Sequence, residues 1–257
     1  MTAAYIYQDD LFYPTMTVRE HLEYHSMVRM ESSVPTNERL RRVEEVLAEV
    51  SLIHAAETRI GGAYTGRRGI SGGERKRLAF GTELLTNPSI IFADEPTSGL
   101  DSFMTRGVCT TMRRLANEGR IIMCVIHQPS SQTFDLFTDL LLLARGKTVY
   151  MGPISDLNNY FNSKGIECPQ FVNPADFYIK QVAVVPSKVT ESMERLEKLW
   201  EGYSLSDMYK KNNGWKDSMD HTTLYGIRKT LQMKHFRASF WTQTYYTIRR
   251  NVETQYR

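Results

Sequence analysis

The stretch from Ile70 to Asp101 constrains this chain more than any other. It reads Ile-Ser-Gly-Gly-Glu-Arg-Lys-Arg, continues through a helical run, and ends Ser-Ile-Ile-Phe-Ala-Asp-Glu-Pro-Thr-Ser-Gly-Leu-Asp. Ser71 and Glu74 have the spacing of a capping box, so a helix opens there, and Asn87-Pro88 stops it after about Thr86. Ile90 to Ala93 is a short apolar run that suits a buried strand, and Asp94-Glu95 places two carboxylates at its end. Asp101 caps a second helix reaching Glu118-Gly119. The apolar run then recurs as Ile121 to Ile126 and stops at His127-Gln128-Pro129. Apolar strands alternating with long helices predict an α/β fold with a largely parallel sheet.

The flanking sequence is consistent with that frame. Tyr5 to Gln8 predicts the end of a short strand. Thr17 with Glu20 opens a helix running to about Met30. Pro35-Thr36-Asn37 starts another, in which Leu40, Val43, Leu47 and Val50 form one apolar face. Thr58 to Gly69 is a loop. Leu140 to Leu143 and Thr148 to Met151 flank Arg145-Gly146-Lys147, a hairpin turn. Composition shifts near Val185-Pro186. We therefore expect an α/β region over 1–182, with helices gathered at about 17–86, and a linker with a charged helix over 183–224. Residues 225–257 form an amphipathic helix carrying Phe240, Trp241, Tyr245 and Tyr246 among Arg249 and Arg250. That last segment reads equally as a helix at a membrane interface and as one docked on its own domain.

Bulk properties exclude several classes. A net charge of +3 is too mild to imply nucleic acid. Three cysteines without metal spacing argue for a reducing compartment and against a disulfide framework. The longest clean apolar run, Leu140 to Ala144, is far short of the ~20 residues of a membrane helix.

The chemistry points to phosphate. Ligands of a parallel α/β sheet bind beyond the carboxyl ends of its strands, where Asp94 and Glu95 stand. Asp94 suits Mg²⁺, which takes one or two carboxylates and keeps several waters. Glu95 could orient and deprotonate an attacking water. Ser71-Gly72-Gly73 opens a helix whose first N–H groups are unpaired and whose dipole is positive, a place for an anion. The same residues also read as a plain cap made by Ser71 and Glu74. His127 could hydrogen-bond a terminal phosphate, and Gln8 could touch Mg²⁺ or the water. Alone, the acidic pair, His127 and Gln8 each read more readily as structural.

Taken together, Gln8, Ile70 to Glu74, Ile90 to Glu95, Ser98-Gly99-Leu100-Asp101 and His127 occur in one order. This order resembles the nucleotide-binding domain of ABC transporters, whose matching parts are the Q-loop, the signature, Walker B with its catalytic glutamate, the D-loop and the H-loop. Tyr5 to Asp10, His127 to Ser131, Phe134 to Asp139, Asn173-Pro174-Ala175-Asp176-Phe177 and Ser239 to Gln243 look like the G or White subfamily. The resemblance covers nearly the whole chain. It implies an ATPase of a half-transporter that works as a homo- or heterodimer, uses ATP and Mg²⁺, sits on the cytoplasmic face of a membrane and powers export of lipids, sterols, pigment precursors or xenobiotics. It implies Glu95 as general base, His127 as γ-phosphate sensor, and Asp94 and Gln8 as Mg²⁺ and water ligands. Ser71, Gly72, Gly73 and Glu74 would meet ATP held by the partner, and Asp101 would touch the partner.

One part of the pattern is missing. A P-loop, Gly-x-x-x-x-Gly-Lys-Ser/Thr, is absent. Gly61 and Gly66 have its glycine spacing but are followed by Arg67-Arg68, and Gly146-Lys147-Thr148 sits in the hairpin with Leu141 at the first glycine position. The expectation is therefore a partial domain that joins a membrane domain not contained in this chain, is inactive alone, and is poorly soluble or only partly folded; a cooperative thermal transition would contradict the last. The alternative is a non-catalytic short isoform acting as a regulatory or decoy partner of a complete half-transporter.

Overall fold

The computed structural model describes residues 2–8, 12–61, 69–218 and 238–255. Asp9-Asp10, Gly66-Arg67-Arg68 and the 225–237 part of the expected C-terminal helix lie outside the described residues. The chain forms two compact units, Met1–His127 with Lys229–Arg257, and Gln128–Arg228.

The first unit is built on three parallel strands in the order β1 (Ala3–Ile6), β2 (Ile90–Asp94), β3 (Ile121–Val125). Ala4, Ile91 and Ile122 share one rung, and Tyr5, Phe92 and Met123 the next. Alternation along the strands therefore puts Ala4, Ile6, Ile91 and Ala93 on one face, where they are buried. Helices α3 (Gly72–Leu84) and α4 (Ser102–Asn117) pack on this sheet, α3 against β1 and α4 against β3. The other face carries Tyr5, Phe92, Ile121, Met123 and Val125, all exposed, with Val125 at 63%. The sequence reading of β2 as a buried strand thus holds for alternate residues only, and β3 is half bare despite being apolar throughout.

Helices α1 (Val18–Arg29) and α2 (Thr36–Glu49) pack on each other and on α3. The expected box forms at Thr17 and Glu20: the Thr17 side chain accepts from the Glu20 N–H, and Glu20 accepts from the Thr17 N–H. Val43, Val46, Leu47 and Val50 line the buried face of α2, whereas Leu40 stands at its exposed margin. Arg39 is buried in its place. Its guanidinium donates to the carbonyls of Ser26 at 2.7 Å and Met27 at 3.2 Å, and to that of Glu31, supplying partners that the last turn of α1 lacks. Helix identity was legible from spacing; this use of an arginine was not.

The second unit holds an antiparallel pair, β4 (Asp139–Ala144) and β5 (Lys147–Pro153). Arg145 and Gly146 both have positive φ, 48° and 80°, as the tight hairpin requires. A short helix α5 (Ser131–Phe134) precedes the pair; α6 (Ile154–Asn162), α7 (Pro174–Val182), α8 (Val189–Ser204) and α9 (Asp207–Ser218) follow it. Val149, Tyr150, Phe161, Tyr178, Leu196 and Leu199 form one buried cluster, so the charged helix α8 turns an apolar side into this core. The last helix, α10 (Phe240–Gln255), belongs to the first unit and packs against α1.

Candidate functional site

At the carboxyl end of the parallel sheet the structure brings three of the expected residues together. Gln8, just past β1, donates its Nε2 to Glu95 Oε2 at 2.7 Å. Tyr5 donates its hydroxyl to Asp94 Oδ2 at 3.2 Å. Desolvation first, and then the neighbouring Asp94 carboxylate, raises the Tyr5 hydroxyl above its ordinary pKa. Tyr5 was not singled out in the sequence; its place on an exposed strand face opposite β2 is the signal that would have found it.

Glu95 turns sharply out of the strand. Its φ is +44°, in the left-handed region that costs a non-glycine residue ~1–2 kcal/mol. Two backbone bonds hold it there, from its own N–H to the Val125 carbonyl at 3.0 Å and from the Ser98 N–H to its carbonyl at 3.0 Å. Strained, over-determined backbone of this kind concentrates at functional positions. The loop of Gln8 is anchored as well: the buried Lys76 of α3 donates to the Gln8 carbonyl at 2.5 Å. His127 is exposed two residues beyond Val125, and no hydrogen bond joins it to Glu95.

The donor set fits Mg²⁺. Gln8 uses its amide nitrogen on Glu95, which leaves its amide oxygen as a ligand atom, and Asp94 supplies a carboxylate. Among the described residues no group of three or more His, Cys, Asp or Glu side chains that could hold a metal ion occurs.

A second constellation lies at the start of α3. Ser71 caps the helix: its Oγ accepts from the Glu74 N–H at 3.3 Å and donates to Glu74 Oε2 at 2.9 Å, and its N–H donates to the same oxygen at 2.8 Å. His54 Nε2 meets the other carboxylate oxygen at 2.9 Å. Burial pushes the Glu74 carboxyl up, but the hydrogen bonds from Ser71 and His54 outweigh it and leave its pKa below the usual value. A Cβ on Gly72 would stand 3.0 Å from Leu100, and one on Gly73 would stand 3.3 Å from Met104. The glycines therefore serve packing too: they let the start of α4 close on the start of α3. Asp101 caps α4 by accepting from the Met104 N–H at 2.8 Å. Between the two helix starts is a cleft of about 390 Å³. Besides Ser71, Gly73 and Glu74, it is lined by Arg77, Arg106 and Phe103, the last 89% exposed. Sequence reasoning did not mark these three.

Comparison with known proteins places the chain in a family. Residues 2–98 match the ABC transporter family model, and residues 127–257 match that of the ABC-2 type transporter. Protein white of Drosophila melanogaster is 44% identical over 204 residues, 79% of this chain and 29% of that protein. Protein scarlet of the same organism is 37% identical over 247 residues, 96% of this chain and 37% of that protein. The broad substrate specificity ATP-binding cassette transporter ABCG2 of Rattus norvegicus is 42% identical over 178 residues, 69% of this chain and 27% of that protein. The chain spans well under half the length of these relatives. No helix among the described residues is long and apolar enough to cross a membrane. With transporter models matching residues 2–98 and 127–257 and white-type relatives aligned along nearly all of it, the chain belongs to the ABC transporters, in the G or White subfamily of half-transporters.

Proposed function

We propose that this chain supplies the ATP-hydrolysing residues of a half-transporter dimer that moves lipid, sterol, pigment-precursor or xenobiotic substrates across a membrane. The observation that carries the reading is the Gln8–Glu95 hydrogen bond, which brings two residues 87 apart in sequence to one point beyond the sheet. Glu95 takes the proton of the water that attacks the γ-phosphorus, as the bond to the ADP oxygen breaks. Gln8 holds that carboxylate in place. His127 donates to the γ-phosphate. When bound, Mg²⁺ offsets charge on the phosphate oxygens, with Asp94 and Gln8 as its protein ligands.

Ser71, Gly72 and Gly73 serve a different nucleotide, one held by the partner subunit, with Asp101 at the same contact. The separation of the two constellations onto the end of β2 and the start of α3 supports this division. Helix α10 continues toward the membrane domain, with the α/β unit on the cytoplasmic side. ATP hydrolysis by dimers containing this chain tests the reading. In a half-transporter dimer where a P-loop holds ATP against these same residues, Glu95→Gln should lower the rate by at least ~100-fold, the contribution of a positioned general base. An unchanged rate would remove Glu95 from that role.

A further inference from the structure

We propose that His54 is a positioning residue for the helix end that meets the nucleotide, acting through Glu74 on the Ser71 hydroxyl. The inference rests on the nucleotide reading of Ser71 and adds a residue from another element to it. His54 lies in a 3-10 turn, Ile53–Ala55, 20 residues before Glu74. Its side chain is 65% exposed, so the hydrogen bond is not a by-product of core packing.

The two oxygens of Glu74 have divided duties. Oε2 accepts from both the N–H and the hydroxyl of Ser71, and Oε1 faces His54 Nε2. A carboxylate only accepts, so Nε2 carries the proton of this bond. The Ser71 hydroxyl has a single proton, and it points at Glu74. A phosphate at this helix start must take that proton from Glu74. A carboxylate with Oε1 bare would compete harder for it and would leave unbalanced negative charge beside the anion. His54 reduces both effects by occupying Oε1.

The other charged groups here do not replace it. Arg75 is turned to the carbonyls of Ile60 and Gly61 at 3.0 and 3.1 Å. Arg77 acts on Glu74 from one turn further along α3, and Arg106 lines the cleft from α4. The hydrogen bonds that hold Glu74 below the usual carboxyl pKa include the one from His54.

Two readouts on the purified chain test the proposal. Carboxyl-carbon NMR follows the titration of Glu74. His54→Ala should move it up toward an ordinary glutamate, and His54→Gln, whose amide can donate to the same oxygen, should bring it back. Titration with tripolyphosphate, followed at the Ser71, Gly72 and Gly73 amides, should show affinity about 2- to 10-fold weaker in His54→Ala, the range of one hydrogen bond, and recovered in His54→Gln. An identical Glu74 titration in wild type and His54→Ala overturns the relay. Weaker binding in Ser71→Ala without any change in His54→Ala overturns it too, while leaving the nucleotide reading intact. No effect of Ser71→Ala removes the nucleotide reading at this helix, and the proposal with it.

Discussion

Ser71 has two roles that one pair of substitutions separates. As a cap it accepts from the Glu74 N–H and donates to the Glu74 carboxylate. Ser71→Ala removes both bonds but keeps the 2.8 Å bond from its own N–H to Glu74. Loss of such a cap costs ~1 kcal/mol, which lowers the melting temperature of a domain this size by about 2–4 °C. As a phosphate donor it would contribute a charge-assisted hydrogen bond worth ~1.5–3 kcal/mol, so Ser71→Ala should weaken tripolyphosphate binding by about 10- to 150-fold. Ser71→Asp discriminates. Aspartate accepts from the Glu74 N–H as serine does but cannot donate to the Glu74 carboxylate, so stability should return only in part, and it places a carboxylate where the anion sits. Thermal melts and amide-resolved titrations read the two effects independently. If Ser71→Asp restores part of the stability and also binds tripolyphosphate like wild type, Ser71 is only a cap and the functional account of this helix start is wrong.

Two further outcomes follow from the helices around α1. Burial, with Arg29 and Arg250 adding, holds the His25 imidazole down to about 3, and burial pushes that of His21 well below its usual value as well. Both are neutral when folded and take up protons when unfolded. Their contribution to stability is therefore complete above pH ~6.5 and is lost as the pH falls below it, for His25 down to pH ~3 at up to ~1.4 kcal/mol per pH unit. His25→Phe should remove one of the two contributions, read as a shallower pH dependence of the urea midpoint; an unchanged slope contradicts this. Arg250 of α10 lies 4.1 Å from the ring centre of Tyr13 and 4.7 Å from that of Tyr24, and donates to the Tyr24 hydroxyl at 2.9 Å. Arg250→Ala should speed hydrogen exchange across 240–255 by about 5- to 100-fold, from ~1–3 kcal/mol of lost contacts. Arg250→Lys should recover only part, and equal exchange in all three would show that other contacts dock α10.

Local chemistry was legible in the sequence because it is local. The caps at Thr17, Ser71 and Asp101 each use a side chain and an N–H three residues on, and all three formed. The hairpin was legible through Arg145-Gly146. Contacts between distant residues were not. Nothing in the sequence couples Tyr5 to Asp94 or His54 to Glu74, because those pairs depend on strand register and on how a 3-10 turn lies against α3. The apolar run in β3 predicts burial, but apolarity says only that a strand can be covered. Register then puts Ile121, Met123 and Val125 on the same bare face as Phe92. Ser71-Gly72-Gly73 was read as a helix start suited to an anion; Leu100 and Met104 show that its two glycines also make room for α4.

The central claim is that Asp94-Glu95 and Ser71-Gly72-Gly73 serve two different nucleotides. The most direct test mixes this chain with an ABC nucleotide-binding domain that carries its own P-loop and measures complex formation by analytical ultracentrifugation with and without MgATP. The account predicts a complex that requires MgATP, persists in Glu95→Gln and is lost in Ser71→Asp. A complex that forms equally without nucleotide, or one that Ser71→Asp leaves intact, would contradict it.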